Sequence, residues 1–152
     1  MIERDGELKI YYSGKVRGHG QRQSRVTETI VEGREVLGAV GLATLRLDGF
    51  VSVNVGEAGG ELMTRPFDPG KGEKVFINTN ASKGSVAVEL LDQYAEPLEG
   101  FAHKDAIPFS GDSIEHEVQW KERTTLEGLN ESAIRLRFVM RDSELYSFRI
   151  GS

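Results

Sequence analysis

The chain has 152 residues, no cysteine, and a net charge of −5 from 24 acidic and 19 basic side chains. That length fits a single domain at roughly 100–200 residues per domain, with about two-thirds of the unfolded surface buried and no need for staples. Disulfides and thiolate metal sites are excluded, and mixed charge of net negative sign argues against nucleic acid, which needs a clustered basic face.

No apolar run approaches the roughly 20 residues that cross a bilayer, so no membrane partner is expected. The N-terminal MIERDGELK has no signal-peptide core. The expectation is a cytoplasmic chain, or a secreted one if it is part of a longer chain with an upstream signal.

Glu7 to Tyr12 (ELKIYY) reads as a strand with Leu8, Ile10 and Tyr12 on one face. Ser13 to Gly33 is polar and glycine-rich without a sustained period, which reads as a linker or a long surface loop. From Val36 the alternation is nearly continuous. Val36 to Leu47 and Phe50 to Val55 flank Asp48-Gly49, a dipeptide suited to a type I′ turn, and together predict a β-hairpin.

Further strands are predicted over Glu61 to Pro66, Lys74 to Asn80, Ser85 to Leu91, Ser113 to Trp120, Ala133 to Met140 and Leu145 to Ile150. Thr124 to Asn130 reads as a short helical turn. The sum is about nine short strands with turn signals between them, an all-β, antiparallel β-sandwich. The expected inward set is Leu45 or its neighbours, Val51, Val53, Ile77, Val86, Val88, Leu90, Val118, Trp120, Ile134, Leu136, Phe138 and Phe148. Residues 1–33 form an N-terminal strand and long loop; residues 34–152 form the sandwich.

Candidate chemistry is sparse. The three histidines, His19, His103 and His116, lack the spacing of a metal site, which needs three or four convergent ligands. His19 stands out because it lies in a glycine-rich loop near Tyr11 and Tyr12, and loops carry function. The carboxylate pairs Glu57 with Glu61, Asp105 with Asp112, and Glu115 with Glu117 offer acids without a spacing that selects one pair for hydrolysis.

Oxygen-rich loops at Asp92 to Glu96 and Asp105 to Asp112 are the places a calcium ion would bind, although no D-x-[DN]-x-[DN]-G loop is present. Otherwise no cofactor is expected. Gly70-Lys71-Gly72-Glu73-Lys74 is followed by a strand and not by Ser or Thr and a helix, so it is not a phosphate loop. Asn80-Ala81-Ser82 and Asn130-Glu131-Ser132 match the glycosylation sequon. Arg135, Arg137 and Arg141 share one side of a strand and read as a solvated face. Tyr94 and Trp120 are aromatics able to stack on sugar rings if exposed.

The ordered motifs VGLATLRLDGFVSV, GGELMTRPF, KVFINTNASKGSVAVELLDQYAEPLEGF, SGDSIEHEVQW and SAIRLRFVMRDSELYSFRI resemble the jelly-roll-like C-terminal β-sandwich of bacterial glycoside-hydrolase-like proteins that carry a five-bladed β-propeller. ELKIYYSG resembles the last propeller strand, and Lys15 to Gly20 the Gly/His-containing loop after that strand. The resemblance implies that catalytic carboxylates belong to the propeller and that no catalytic residue lies here. It also implies a chain that starts inside the supposed propeller, as a truncated frame or an excised domain.

The resemblance therefore implies a non-catalytic accessory module, structural or carbohydrate-binding, whose partner is carbohydrate or a preceding catalytic propeller. Contacts are expected at Tyr11, Tyr12, His19 and Tyr94. Two alternatives stand beside it: a stand-alone glycoside hydrolase with loop carboxylates, and an assembly module forming a homo-oligomer through the N-terminal strand, whose backbone groups need a partner.

Overall fold

The computed structural model describes residues 1–15, 30–31, 34–35 and 38–152. Among them there is no helix, and every pairing between named strands is antiparallel. The fold is all-β and sandwich-like, with twelve strands among the described residues against the nine or so expected. They divide into two compact units, Met1–Leu47 and Asp48–Ser152.

The first unit contains a three-stranded sheet of β1 (Ile2–Arg4), β2 (Glu7–Lys15) and β5 (Gly38–Arg46), in the order β1-β2-β5. Strand β2 runs past its predicted end at Tyr12 as far as Lys15, and most of the predicted loop up to Gly33 lies outside the described residues. Among the described residues, two short strands, β3 (Ile30–Val31) and β4 (Arg34–Glu35), pair with each other. Asp5 and Gly6 join β1 to β2, and both have positive φ (56° and 74°) with Arg4 facing Glu7 across the turn. That is the geometry of a type I′ hairpin, and it explains why Asp-Gly occupies these positions.

The second Asp-Gly behaves differently. Asp48 has a φ of 56°, but Gly49 is not in the left-handed region, so the turn is not type I′ and no hairpin forms there. The predicted pairing of Val36–Leu47 with Phe50–Val55 is thereby corrected. Strand β5 runs instead along all of β2, from Glu7↔Arg46 to Lys15↔Gly38. The Tyr12 ring lies over Gly41, where an added Cβ would sit 2.4 Å from the ring carbon Cζ and displace the exposed ring.

The second unit is a two-layer sandwich. One sheet has the order β10-β8-β12-β6, from Asp112–Glu117, Lys74–Asn80, Ser143–Gly151 and Val53–Val55. The other has the order β7-β11-β9, from Gly60–Met63, Ile134–Arg141 and Ser85–Asp92. Val75, Ile77, Val86, Val88, Leu90, Ile134, Leu136, Phe138 and Met140 fill the space between the layers and are essentially fully buried. Each such side chain contributes about 1.5–3 kcal/mol by leaving water.

Of the expected inward set, Val51, Val53 and Phe148 are exposed and Leu45 is half-buried. The valines belonged to the hairpin that does not form. Phe148 follows a register shift between Leu145 and Ser147, which resets the alternation in β12. Its ring still packs against Phe138 and Phe67 at centroid distances of 5.5 and 5.9 Å. A similar shift between Ser113 and His116 leaves Ile114 exposed and confines the predicted Ser113–Trp120 strand to β10.

Thr124 to Asn130 is not helical. Leu129 N donates to Leu126 O at 3.0 Å in a turn whose Gly128 has a φ of 79°, and Leu126 is the buried residue. The segment from Pro97 to Phe109 covers the outer edge of β9: Leu98 N donates to Leu90 O (3.0 Å), Leu90 N to Phe101 O (3.2 Å), and Val86 and Phe109 exchange both backbone bonds. This explains why β9 is buried at Ala87, Glu89 and Leu91 as well as on its predicted inner face.

Candidate functional site

At one end of the sandwich the chain passes between the layers three times: after β6 through Gly56–Gly59, after β8 through Ala81–Gly84, and after β11 at Asp142. These crossings are tied together. Asp142 N donates to Gly56 O (3.0 Å), Gly59 N to the same carbonyl (3.0 Å), and Gly84 N to Ala81 O (3.1 Å). Gly84 is pressed against the neighbouring crossing so closely that a Cβ would lie 1.8 Å from Arg141 O. Only glycine fits that approach.

The crossings and the adjoining strand ends enclose a cleft of about 340 Å³, lined by Asn54, Asn80, Ser82, Lys83, Asp142 and Glu144 among others. The sheet register organises it. Glu144 lies directly opposite Asn80 on one side and Asn54 on the other, and Asn80 lies opposite Asp112. Directly opposed residues point to the same face of a sheet. The four strands thus carry a polar row, Asp112, Asn80, Glu144 and Asn54. On the other face Leu145 lies opposite Thr79, and both are buried.

Hydrogen bonding polarises this row. Asn80 Oδ1 accepts from Ser82 N (3.2 Å) and Ser82 Oγ (2.8 Å), and Asn54 Oδ1 accepts from Ser52 Oγ (3.2 Å). Those bonds occupy the amide oxygens and leave the NH2 groups as the donors of the two side chains. Glu144 accepts from Tyr146 Oη through Oε2. The row therefore alternates carboxylate acceptor and amide donor, a pattern suited to a ligand rich in hydroxyl groups.

The residues singled out from the sequence do not converge on this cleft. Tyr11 and Tyr12 are both exposed but, as neighbours on β2, point to opposite faces of its sheet. Tyr94 is 78% exposed on the turn after β9 and lines no part of the cleft. His19 lies outside the described residues. Trp120 is buried, donates Nε1 to Val88 O at 2.9 Å and meets Phe101 edge-on at 4.9 Å, so it cannot present a stacking face.

Several acids considered for catalysis or calcium are engaged locally. Glu117 pairs with Lys74 (3.0 Å), Glu115 with Arg149, and Glu61 with Arg137 (4.0 Å). Asp92 Oδ1 accepts from the backbone amides of Tyr94 (2.8 Å) and Glu96 (2.9 Å), which fixes that turn. Among the described residues no group of three or more His, Asp or Glu side chains is placed to hold a metal ion. Asp142 and Glu144, two residues apart in the chain, both line the cleft.

The arginines of β11 are braces rather than a purely solvated face. Arg135 donates to Gln93 O (3.1 Å) and Thr64 O (3.2 Å), and Arg141 to Glu57 O (3.1 Å). Arg137 pairs with Glu89, which is 2% exposed and also accepts from His103 N. The carboxylate bond holds the guanidinium pKa above its ordinary value. His116 stacks on Phe109 at 3.8 Å; burial pushes its pKa down, and the charge of Glu117 opposes part of that shift.

Asn54 and Asn80 were legible as strand positions, Asn80 also as part of a sequon, and Glu144 lay just before the predicted Leu145–Ile150 strand. The common signal is that each stands within two residues of a strand-end turn. Compared with family models, curated proteins and solved structures, the chain matches none.

Proposed function

We propose that this chain is a non-catalytic accessory module of a glycoside-hydrolase-like protein and contacts carbohydrate through the cleft at the sandwich end. The observation that carries this reading is the in-register Asn80–Glu144–Asn54 row, whose alternating donors and acceptors match adjacent sugar hydroxyls. The volume of about 340 Å³ is at the lower end of small-ligand sites. Engagement of Glu61, Glu115 and Glu117 by cations favours binding over hydrolysis. The up-and-down order β1-β2-β5 is of the kind that builds a propeller blade, which favours attachment to a preceding propeller.

The test is affinity electrophoresis and calorimetric titration of the full chain against a panel of neutral polysaccharides and their oligosaccharides. Retardation by at least one glycan, weakened about tenfold in Asn54→Ala by loss of one hydrogen bond of about 1.4 kcal/mol, is the expected result. Release of reducing ends from any glycan in the panel would establish the hydrolase reading instead.

A further inference from the structure

Every edge strand in the second unit is protected. Strands β6 and β7 have three and four residues, β10 is bulged and carries Asp112, Glu115 and Glu117, and β9 is bridged by the Pro97–Phe109 segment. In the first unit β1 has three residues, two of them charged. These are the usual devices against edge-to-edge pairing. Strand β5 has none of them. It runs nine residues, GAVGLATLR, with no proline and no charge before its last position. Among the described residues it pairs with β2 alone. Val40 is 77% exposed and Leu42 51%.

The strand is also its own complement. Placed antiparallel to a second copy about Leu42, it sets Val40 opposite Thr44, Gly41 opposite Ala43 and Ala39 opposite Leu45. Val40, Leu42 and Thr44 then form one continuous stripe with their symmetry mates. Tyr11 lies beside Leu42 on the same face of each protomer, extending that stripe. No like charges meet anywhere between Gly38 and Leu45.

We infer that two copies of the chain associate through antiparallel β5–β5 pairing, a two-fold contact that joins their β1-β2-β5 sheets into one. The assembly edge is thus β5 and not the Glu7–Tyr12 strand, because β2 is central and its backbone is already paired on both sides. A two-fold contact uses the same patch on both partners, and β5 meets that condition.

Sedimentation velocity of the full chain over a concentration series tests the inference. The expected mass at high concentration is twice the 16.8 kDa of one chain. In Val40→Lys/Thr44→Lys each lysine faces another across the axis, and the mass falls to one chain with an unchanged far-UV spectrum. In Val40→Lys/Thr44→Glu the opposed charges attract, and the dimer returns. Hydrogen exchange supplies a readout that does not depend on variants: amide protection over residues 38–46 rises with protein concentration. A wild-type chain that stays monomeric into the high micromolar range overturns the inference, as does a dimer indifferent to both lysine substitutions.

Discussion

Strand β2 carries Leu8, Ile10 and Tyr12 along one face, and β11 carries Ile134, Leu136, Phe138 and Met140 along one face. The β11 set is buried to the last residue, whereas in β2 only Leu8 is. The alternation is equally clear in both. What differs is the layer opposite: β11 faces the strands of a second sheet, and its four side chains join a cluster that also holds Val75, Ile77 and Trp120. An alternating pattern states which side of a strand is apolar; it does not state whether anything covers that side. Most of the folding free energy accordingly resides in the second unit, and the exposed apolar groups of the first are surface.

That contrast breaks if core and surface truncations cost the same. Phe138→Ala should destabilise by about 3–5 kcal/mol and Trp120→Ala by a similar amount, the latter also losing its bond to Val88 O. Denaturant unfolding measures both. Arg137→Ala is expected to cost about 3 kcal/mol, the low end for a broken buried pair, since it strands the Glu89 carboxylate while the guanidinium itself is 31% exposed. Replacing the pair by Glu89→Leu with Arg137→Met should restore much of the loss.

Gly84→Ala should cost about 1–3 kcal/mol, because carbonyl groups of the adjoining crossing must move to admit the methyl group. Leu42→Ala, read as a monomer at low concentration, should stay within about 0.5 kcal/mol, as exposed positions do. The smallest effect concerns pH. The imidazole of His116 is pushed below its ordinary 6.5, so the neutral form is favoured in the folded state. Its contribution is complete above that value and is lost as pH falls from about 6.5 through the lowered folded value. Midpoints measured from pH 8 to pH 5 should drop less steeply in His116→Gln.

The two Asp-Gly dipeptides, of which only Asp48-Gly49 entered the strand reading, show where local turn chemistry stops. Both are turn signals and both lie in turns. At Asp5-Gly6 the following strand returns on the preceding one; at Asp48-Gly49 it does not, because β5 finds a nine-residue partner in β2 and β6 pairs with β12 instead. Turn chemistry is local, whereas partner choice is decided by the longest compatible ladder. For the same reason Ile77, Val86, Val88, Leu90, Ile134, Leu136 and Phe138 were readable as core from alternation. Phe101 and Leu126 were not, since they enter the core from irregular segments with no period.

The cleft was the least legible part. Its residues come from three strands separated by dozens of positions, and only the register Asn80↔Glu144↔Asn54 aligns them. Register is a property of pairing, so no spacing along the chain announces it. The exposed tyrosines attracted attention for the opposite reason: their side chains suggest contact wherever they stand, yet Tyr11 and Tyr12 diverge and Tyr94 lines no part of the cleft.

The most direct test is an amide-resolved NMR titration of the full chain with the oligosaccharide that binds best in the panel. Shift changes confined to Asn54, Asn80, Ser82, Asp142 and Glu144, with the sugar unaltered after prolonged incubation, are what the polar row predicts. Changes centred on Tyr11, Tyr12 or Tyr94 with the cleft silent, or cleavage of the sugar, would contradict it.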